Sequence, residues 1–194
     1  MNDQGMPASG LGENAQPYNV DRWGEGHFRV GADGRLYVRP APGEGPEAAL
    51  EEVLAACREQ GLRQPVLVRF AGILRHRVRM LTDAFAEAIR EQAYGGDYTV
   101  VYPVKVNQQR RVVHEMLRAG TERSRVGLEA GSKPELLTVM ALSNDPGDVI
   151  VCNGYKDRAY IRLGLMAEKL GFQVTLVVEK LSELPVILEE ADRL

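Results

Sequence analysis

Cysteine is scarce in this chain of 194 residues: there are only Cys57 and Cys152, each inside an apolar segment and neither with a partner at metal-ligand spacing. That excludes a disulfide framework and a thiolate metal site, and it fits a reducing, cytoplasmic compartment. Histidine is as thin. His27, His76 and His114 are scattered, so no metal site is assigned, and His76 and His114 fall on polar helix faces where side chains are solvated. No apolar run approaches the ~18 residues of a membrane helix. The first residues, MNDQGMPASGLGENAQP, lack a basic start and an apolar h-region, so neither a signal peptide nor a membrane partner is expected and the chain reads as soluble. Basic excess is missing too. A net charge of -3 and a pI near 5.7 argue against a nucleic-acid partner, and Arg75, Arg77 and Arg79 read as a solvated helix face. Nucleotide motifs are absent: there is no G-x-x-x-x-G-K-[ST] and no G-x-G-x-x-G, and Gly131-Ser132-Lys133 lacks the upstream glycine of a phosphate loop.

With 44% hydrophobic and 26% charged residues, the chain is long enough to bury a real core. Residues 1–18 are rich in Gly, Asn, Gln, Ser and Pro and are expected to form a disordered tail. Residues 19–45 hold a β-hairpin and a linker: His27-Phe28-Arg29-Val30 and Leu36-Tyr37-Val38 flank Gly31-Ala32-Asp33-Gly34, and 40–46 is Pro/Gly-rich.

From residue 46 to 194 one rhythm repeats. Leu50, Val53, Leu54 and Cys57 lie at helical spacing, and Gly61 ends the run. Val66-Leu67-Val68-Arg69-Phe70 reads as a strand, followed by the helical stripe Leu74, Val78, Leu81, Phe85 and Ile89, stopped by Gly95-Gly96. The apolar, β-branched run 98–106 precedes a helix through Val112, Val113, Met116 and Leu117. The strand 125–128 leads to Ser132-Lys133-Pro134-Glu135, which has the S-x-x-E capping-box spacing with proline in the first turn. Val149-Ile150-Val151-Cys152 meets an Asn153-Gly154 turn and a helix through Ile161, Leu165 and Leu170. A last strand at 173–178 precedes a helix opened by Ser182. About five strand-then-helix units in order imply an α/β fold with a parallel sheet and right-handed crossovers. A doubly wound sheet and a (β/α)8 barrel both satisfy this pattern.

Lys105 stands out. It ends the apolar run Thr99-Val100-Val101-Tyr102-Pro103-Val104 and is one of only five lysines among 24 basic residues. The carboxyl end of a parallel strand is where α/β folds place their active sites. Burial there would disfavour the ammonium form and free the amine to attack carbonyls, chemistry closed to arginine. The other reading is a lysine that reaches out to solvent from a strand end. Glu129 lies one strand on at the same sheet end, where it could pair with Lys105; a solvated loop acid is the alternative. Ser132 and Glu135 are most simply a capping pair, Asn153-Gly154 a turn, and Lys156 a helix-start residue.

The words YPVKVNQQRRVV (102–113), GLEAGSKPEL (127–136) and VCNGYKDRAYI (151–161) closely resemble the biosynthetic arginine decarboxylases, pyridoxal-phosphate enzymes of the alanine-racemase-like barrel class. LVRFAGILRHRV (67–78) and VVEKLSEL (177–184) resemble the same family, and the likeness covers about 20–194. The resemblance implies that 46–194 is part of a TIM-type pyridoxal-phosphate-binding barrel. In that family the lysine matching Lys105 carries pyridoxal 5'-phosphate as a Schiff base. Glu129, Ser132 and Glu135 match positions near the cofactor, and Asn153, Tyr155 and Lys156 match the next strand-end motif. The implied reaction turns L-arginine into agmatine and CO2 for polyamine synthesis. The family is also associated with Mg2+ and with homo-oligomers.

A complete barrel takes about 250 residues. The family's later strands, phosphate-binding glycines and second β domain are not matched here, and Cys152 does not match the catalytic cysteine. The expectation is therefore an N-terminal fragment, inactive by itself, whose hairpin would be left unpaired. Ornithine or diaminopimelate decarboxylase, a non-catalytic pyridoxal-phosphate-binding barrel protein and a ligand-free interaction remnant remain as alternatives, since substrate side-chain selectivity is not read from these residues.

Overall fold

The computed structural model describes residues 18–43, 45–121, 125–143 and 145–194. Apart from Tyr18, the expected tail lies outside the described residues. The chain divides into two compact units, Met1–His76 and Arg77–Leu194.

In the first unit, α1 (Val20–Trp23) leads to β1 (Phe28–Val30) and β2 (Leu36–Val38), the antiparallel hairpin read from the sequence. Gly34 takes the left-handed conformation in its turn, at φ 78°. The hairpin is not left unpaired, because β3 (Ala48–Ala49) adds to β2 and makes a three-stranded sheet. Two alanines carry almost no strand pattern, which is why this pairing was not legible. Val20, Val38, Ala49 and His27 are buried here, and α2 (Leu50–Glu59) follows at once. His76 is not a solvated side chain: its ring meets that of His27 edge-on at 5.0 Å. His114, in the second unit, is half-buried and accepts a hydrogen bond from Arg110 Nε at 3.2 Å.

The predicted strand at 66–70 does not form. Those residues have no regular structure and Leu67 is exposed. Its composition suits a strand, but composition supplies no ladder partner, and none is present among the described residues. Helix α3 (Ala71–Glu91) contains the unit boundary. It stops before the glycines expected to end it, with Ala93 in the left-handed region at φ 47°.

Four of the five predicted strands build the second unit: β4 (Val100–Pro103), β5 (Val126–Ala130), β6 (Val149–Cys152) and β7 (Gln173–Leu176). They are parallel and pair in chain order. A doubly wound sheet reverses its strand order at a switch point. This sheet shows no reversal, so the strands are an arc of a barrel wall, alternating with α4 (Arg110–Leu117), α5 (Lys133–Leu142), α6 (Arg158–Lys169) and α7 (Glu183–Arg193). Leu128, Ala130, Ile150 and Cys152 on the central strands are buried, as are Leu136 and Val139 of α5 and Tyr160, Ile161 and Ala167 of α6. Gly127 is needed for the close approach of β6, since a Cβ there would lie 2.8 Å from the Val149 carbonyl oxygen. Pro103, awkward in a central strand, is tolerated because β4 lies at the sheet's edge. The register sets Pro103 beside Glu129, Glu129 beside Val151 and Cys152 beside Leu176, so the carboxyl ends of all four strands share one rim.

Candidate active site

Beyond Pro103 the backbone tightens into a 3-10 turn, Val104–Val106, which buries Val104 and turns Lys105 outward. The Lys105 side chain is 56% exposed, against the expectation of a buried, desolvated amine. The shortfall has a plain cause: the strand ends two residues before the lysine, and β4 is the edge of the sheet among the described residues. What the structure supplies instead is a charge partner. Lys105 Nζ donates to Glu129 Oε1 at 3.2 Å, and Glu129, near the carboxyl end of β5, is only 13% exposed.

The next loop follows its local chemistry. Ser132 caps α5, its Oγ accepting from the Glu135 amide at 3.4 Å, with Pro134 in the first turn. Glu135 does not close the box on the serine amide. Its Oε2 accepts from the Gly131 amide at 2.7 Å, one residue earlier, and so rigidifies the strand-to-helix bend next to Glu129. Ser132 and Glu135 are thus engaged as a cap, both half-buried.

Asn153, after β6, holds this loop to its neighbour. Its amide donates to the Ala130 carbonyl at 2.8 Å, and its Oδ1 accepts from the Gly154 amide at 3.0 Å. Tyr160 Oη donates to the same Ala130 carbonyl at 2.6 Å, and burial raises that phenol well above its ordinary range. Asp157 caps α6 through the Tyr160 amide at 2.9 Å and pairs with Lys133 at 2.5 Å, which holds its carboxyl below the ordinary range. A cleft of about 440 Å³ lies between the two loops, lined by residues including Ser132, Tyr155, Lys156 and Tyr160. A larger one, about 580 Å³, sits at the amino ends of the strands among His114, Arg118, Asp145 and Asp148, away from Lys105. Barrel active sites form at carboxyl ends, the end on which the smaller cleft opens, although neither Lys105 nor Glu129 lines it.

The rim therefore brings together Lys105 and Glu129, with Glu135 and Ser132 behind them, and Asn153 one loop further on. Lys156, read from its local sequence as a helix-start residue and matched by resemblance to the strand-end motif, has a side chain 0% exposed and pairs with Glu183 Oε2 at 3.2 Å. Two participants, Glu183 and Glu179, were missed. Glu179, after β7, accepts the Gly154 amide at 2.9 Å. The only available signal was a pair of acids four residues apart around the opening of α7. Tyr155 is exposed, with Lys180 Nζ 3.8 Å over its ring. Among the described residues no three His, Cys, Asp or Glu side chains are grouped to hold a metal ion. No helix among them is long and apolar enough to cross a membrane.

The arrangement fits a carbonyl-bearing cofactor: an accessible primary amine, a largely buried carboxylate bonded to it, and a bend fixed by side-chain bonds. Comparison with known proteins agrees. A family model for the pyridoxal-binding domain of pyridoxal-dependent decarboxylases matches residues 78–193. The biosynthetic arginine decarboxylase of Marinobacter nauticus is 51% identical over 180 residues, covering 91% of this chain and 28% of that protein. That of Alkalilimnicola ehrlichii is 52% identical over 183 residues, covering 93% and 28%. The crystal structure of the biosynthetic arginine decarboxylase SpeA from Campylobacter jejuni superposes with a TM-score of 0.79 at 32% identity, covering 91% of this chain and 29% of that one. The chain thus spans between a quarter and a third of the length of these relatives. It belongs to the pyridoxal-dependent decarboxylases, and the residues that match are those of their pyridoxal-binding domain.

Proposed function

We propose that this chain contributes the cofactor lysine and part of the barrel wall of an arginine decarboxylase, in which L-arginine loses CO2 to give agmatine for polyamine synthesis. The observation that carries this reading is the Lys105–Glu129 pair at the carboxyl rim of a chain-ordered parallel arc. The domain reading of 46–194 as barrel, the homo-oligomeric assembly and the cytoplasmic setting belong to the same proposal. Two free thiols, Cys57 and Cys152, support the last of these.

Pyridoxal phosphate, when bound, supplies the electron sink for the carbon–carbon cleavage. The chain's own residues do the rest. Lys105 offers its Nζ to the aldehyde, and its exposure leaves the approach open. Glu129 Oε1, 3.2 Å away, accepts a hydrogen bond from that nitrogen and holds the side chain in one direction. Glu135 fixes the Gly131 amide and so keeps Glu129 at its strand end. Asn153, tied to Ala130, closes the floor of the adjoining loop. These side chains read the aldehyde end of the cofactor rather than the substrate's side chain, so the choice of arginine over ornithine or diaminopimelate rests on the relatives.

The test begins with the purified chain, excess pyridoxal phosphate and borohydride, followed by peptide mass mapping. The pyridoxyl group is expected on Lys105 in preference to Lys169, and Lys105→Ala abolishes that preference. Labelling spread evenly over the five lysines would overturn the assignment. The isolated chain is expected to release no agmatine, because its described parallel sheet holds four strands and does not close. Within a full-length relative, turnover of ornithine in place of arginine would keep the chemistry and replace the substrate.

A further inference from the structure

Burying a lysine is costly unless its charge is paired and its protons are placed. Lys156 satisfies both demands in an unusual way. Its Nζ donates to the Gly154 carbonyl at 2.5 Å and pairs with Glu183 Oε2 at 3.2 Å. The other oxygen of Glu183 accepts the Lys156 amide at 3.0 Å, and Oε2 also accepts the Glu179 amide at 3.2 Å. Glu179 in turn accepts the Gly154 amide at 2.9 Å. The bonds form a closed circuit, Gly154 to Glu179 to Glu183 to Lys156 and back to Gly154, joining the loop after β6 to the turn before α7.

The circuit ends on a backbone contact. Gly154 sits at φ 76°, pressed so close to the preceding loop that a Cβ would lie 2.8 Å from the Gly131 carbonyl oxygen. Gly131 borders the acids of the rim: a Cβ on it would lie 3.4 Å from Glu135 Oε2 and 3.8 Å from Glu129 Oε1. Nothing in a helix start calls for a wholly buried ammonium. A fixed distance between two strand-end loops does.

We propose that the Lys156–Glu183 pair is a positioning lock: it holds Gly154 against Gly131 and thereby keeps Glu129 set opposite Lys105. Lys156 and Glu183 act through the backbone and touch neither cofactor nor substrate. The inference rests on the reading of Lys105 as the cofactor lysine.

Two variants of the whole 194-residue chain test it. Glu179→Ala removes one link of the circuit at an exposed position. Lys156→Met/Glu183→Leu replaces the buried pair with apolar side chains, an exchange that proteins often accept without loss of stability. Amide hydrogen exchange at Gly131 and Gly154 is read first. The second readout is the pH profile of borohydride trapping by pyridoxal phosphate at Lys105, taken relative to Lys169 in the same molecule. Expected are exchange at both glycines roughly 3- to 10-fold faster, the scale of one lost hydrogen bond, and a Lys105 profile that moves to that of Glu129→Gln. Global loosening would raise labelling of Lys169 as well, and a constant ratio with native exchange in the Glu179 variant overturns the lock even if the double variant does not fold. If Lys105→Ala leaves the labelling pattern unchanged, the functional reading fails, while the exchange rates still report on the circuit.

Discussion

Glu129 Oε1 lies 3.2 Å from Lys105 Nζ across 24 residues of sequence, on neighbouring parallel strand ends, with the acid largely buried and the amine largely in solvent. That asymmetry separates what the pair does for chemistry from what it does for stability. An exposed ammonium gains little folding free energy from its partner, whereas the direction in which the side chain points depends on it.

Glu129→Gln is accordingly expected to change the unfolding free energy by no more than ~1 kcal/mol, while slowing pyridoxal phosphate trapping at Lys105 roughly 3- to 10-fold. Urea melts and timed borohydride quenches measure the two effects. A large stability loss with unchanged trapping would reverse the assignment.

Gly154→Ala is expected to destabilise by ~1–3 kcal/mol, because it adds the strain of a left-handed non-glycine residue to a clash with backbone. The position has φ 76° and meets the Gly131 carbonyl at 2.8 Å. Gly34→Ala is the control: it has a similar φ of 78° but open space around its Cβ, so only the backbone term of ~1 kcal/mol remains. Equal losses at the two sites would show that the loop contact carries nothing.

Cys152 and Cys57 should differ sharply towards iodoacetamide. Burial pushes the Cys152 thiol up to about 11, with Tyr160 and Lys156 only partly opposing it, and its side chain is sealed. Cys57 is half-buried and modifies first, whereas Cys152 reacts at the rate of global unfolding. The sign for stability follows. Above the ordinary thiol value of 9.0 the unfolded chain ionises this group and the native chain does not, so stability falls as pH rises towards about 11. Cys152→Ala removes that alkaline slope, which denaturant titrations across this range would detect.

The acid limb has a different origin. Burial pushes the Glu183 carboxyl up, but the Lys156 amide and ammonium and the Glu179 amide outweigh it and hold the group below its ordinary range. Hydrogen bonds from Arg158 first, then Arg162, with Arg193 adding charge, hold Glu190 low as well. Folded values below the unfolded ones mean stability that is full above the ordinary carboxylate range and lost as pH falls through the folded values. Glu183→Gln and Glu190→Gln should each flatten that acid loss while lowering stability near neutral pH, as read from urea midpoints taken at descending pH.

The sequence by itself determined the elements whose causes are local. Ser132 and Pro134 mark the start of α5 because a cap and a first-turn proline act within four residues, and the stripe on α6 follows the helical period. The words around Lys105, Glu129 and Asn153 fall together at the carboxyl rim because strand ends follow from where apolar runs stop. Tertiary structure alone decided which distant groups meet. The β2–β3 pairing, the absence of a ladder at 66–70, the exposure of Lys105 and the circuit through Lys156, Glu179 and Glu183 all depend on partners far along the chain. Periodicity encodes which face of an element is apolar; it does not encode whether another strand arrives to cover it, and burial of a charge is settled only when that neighbour and its counter-charge are in place.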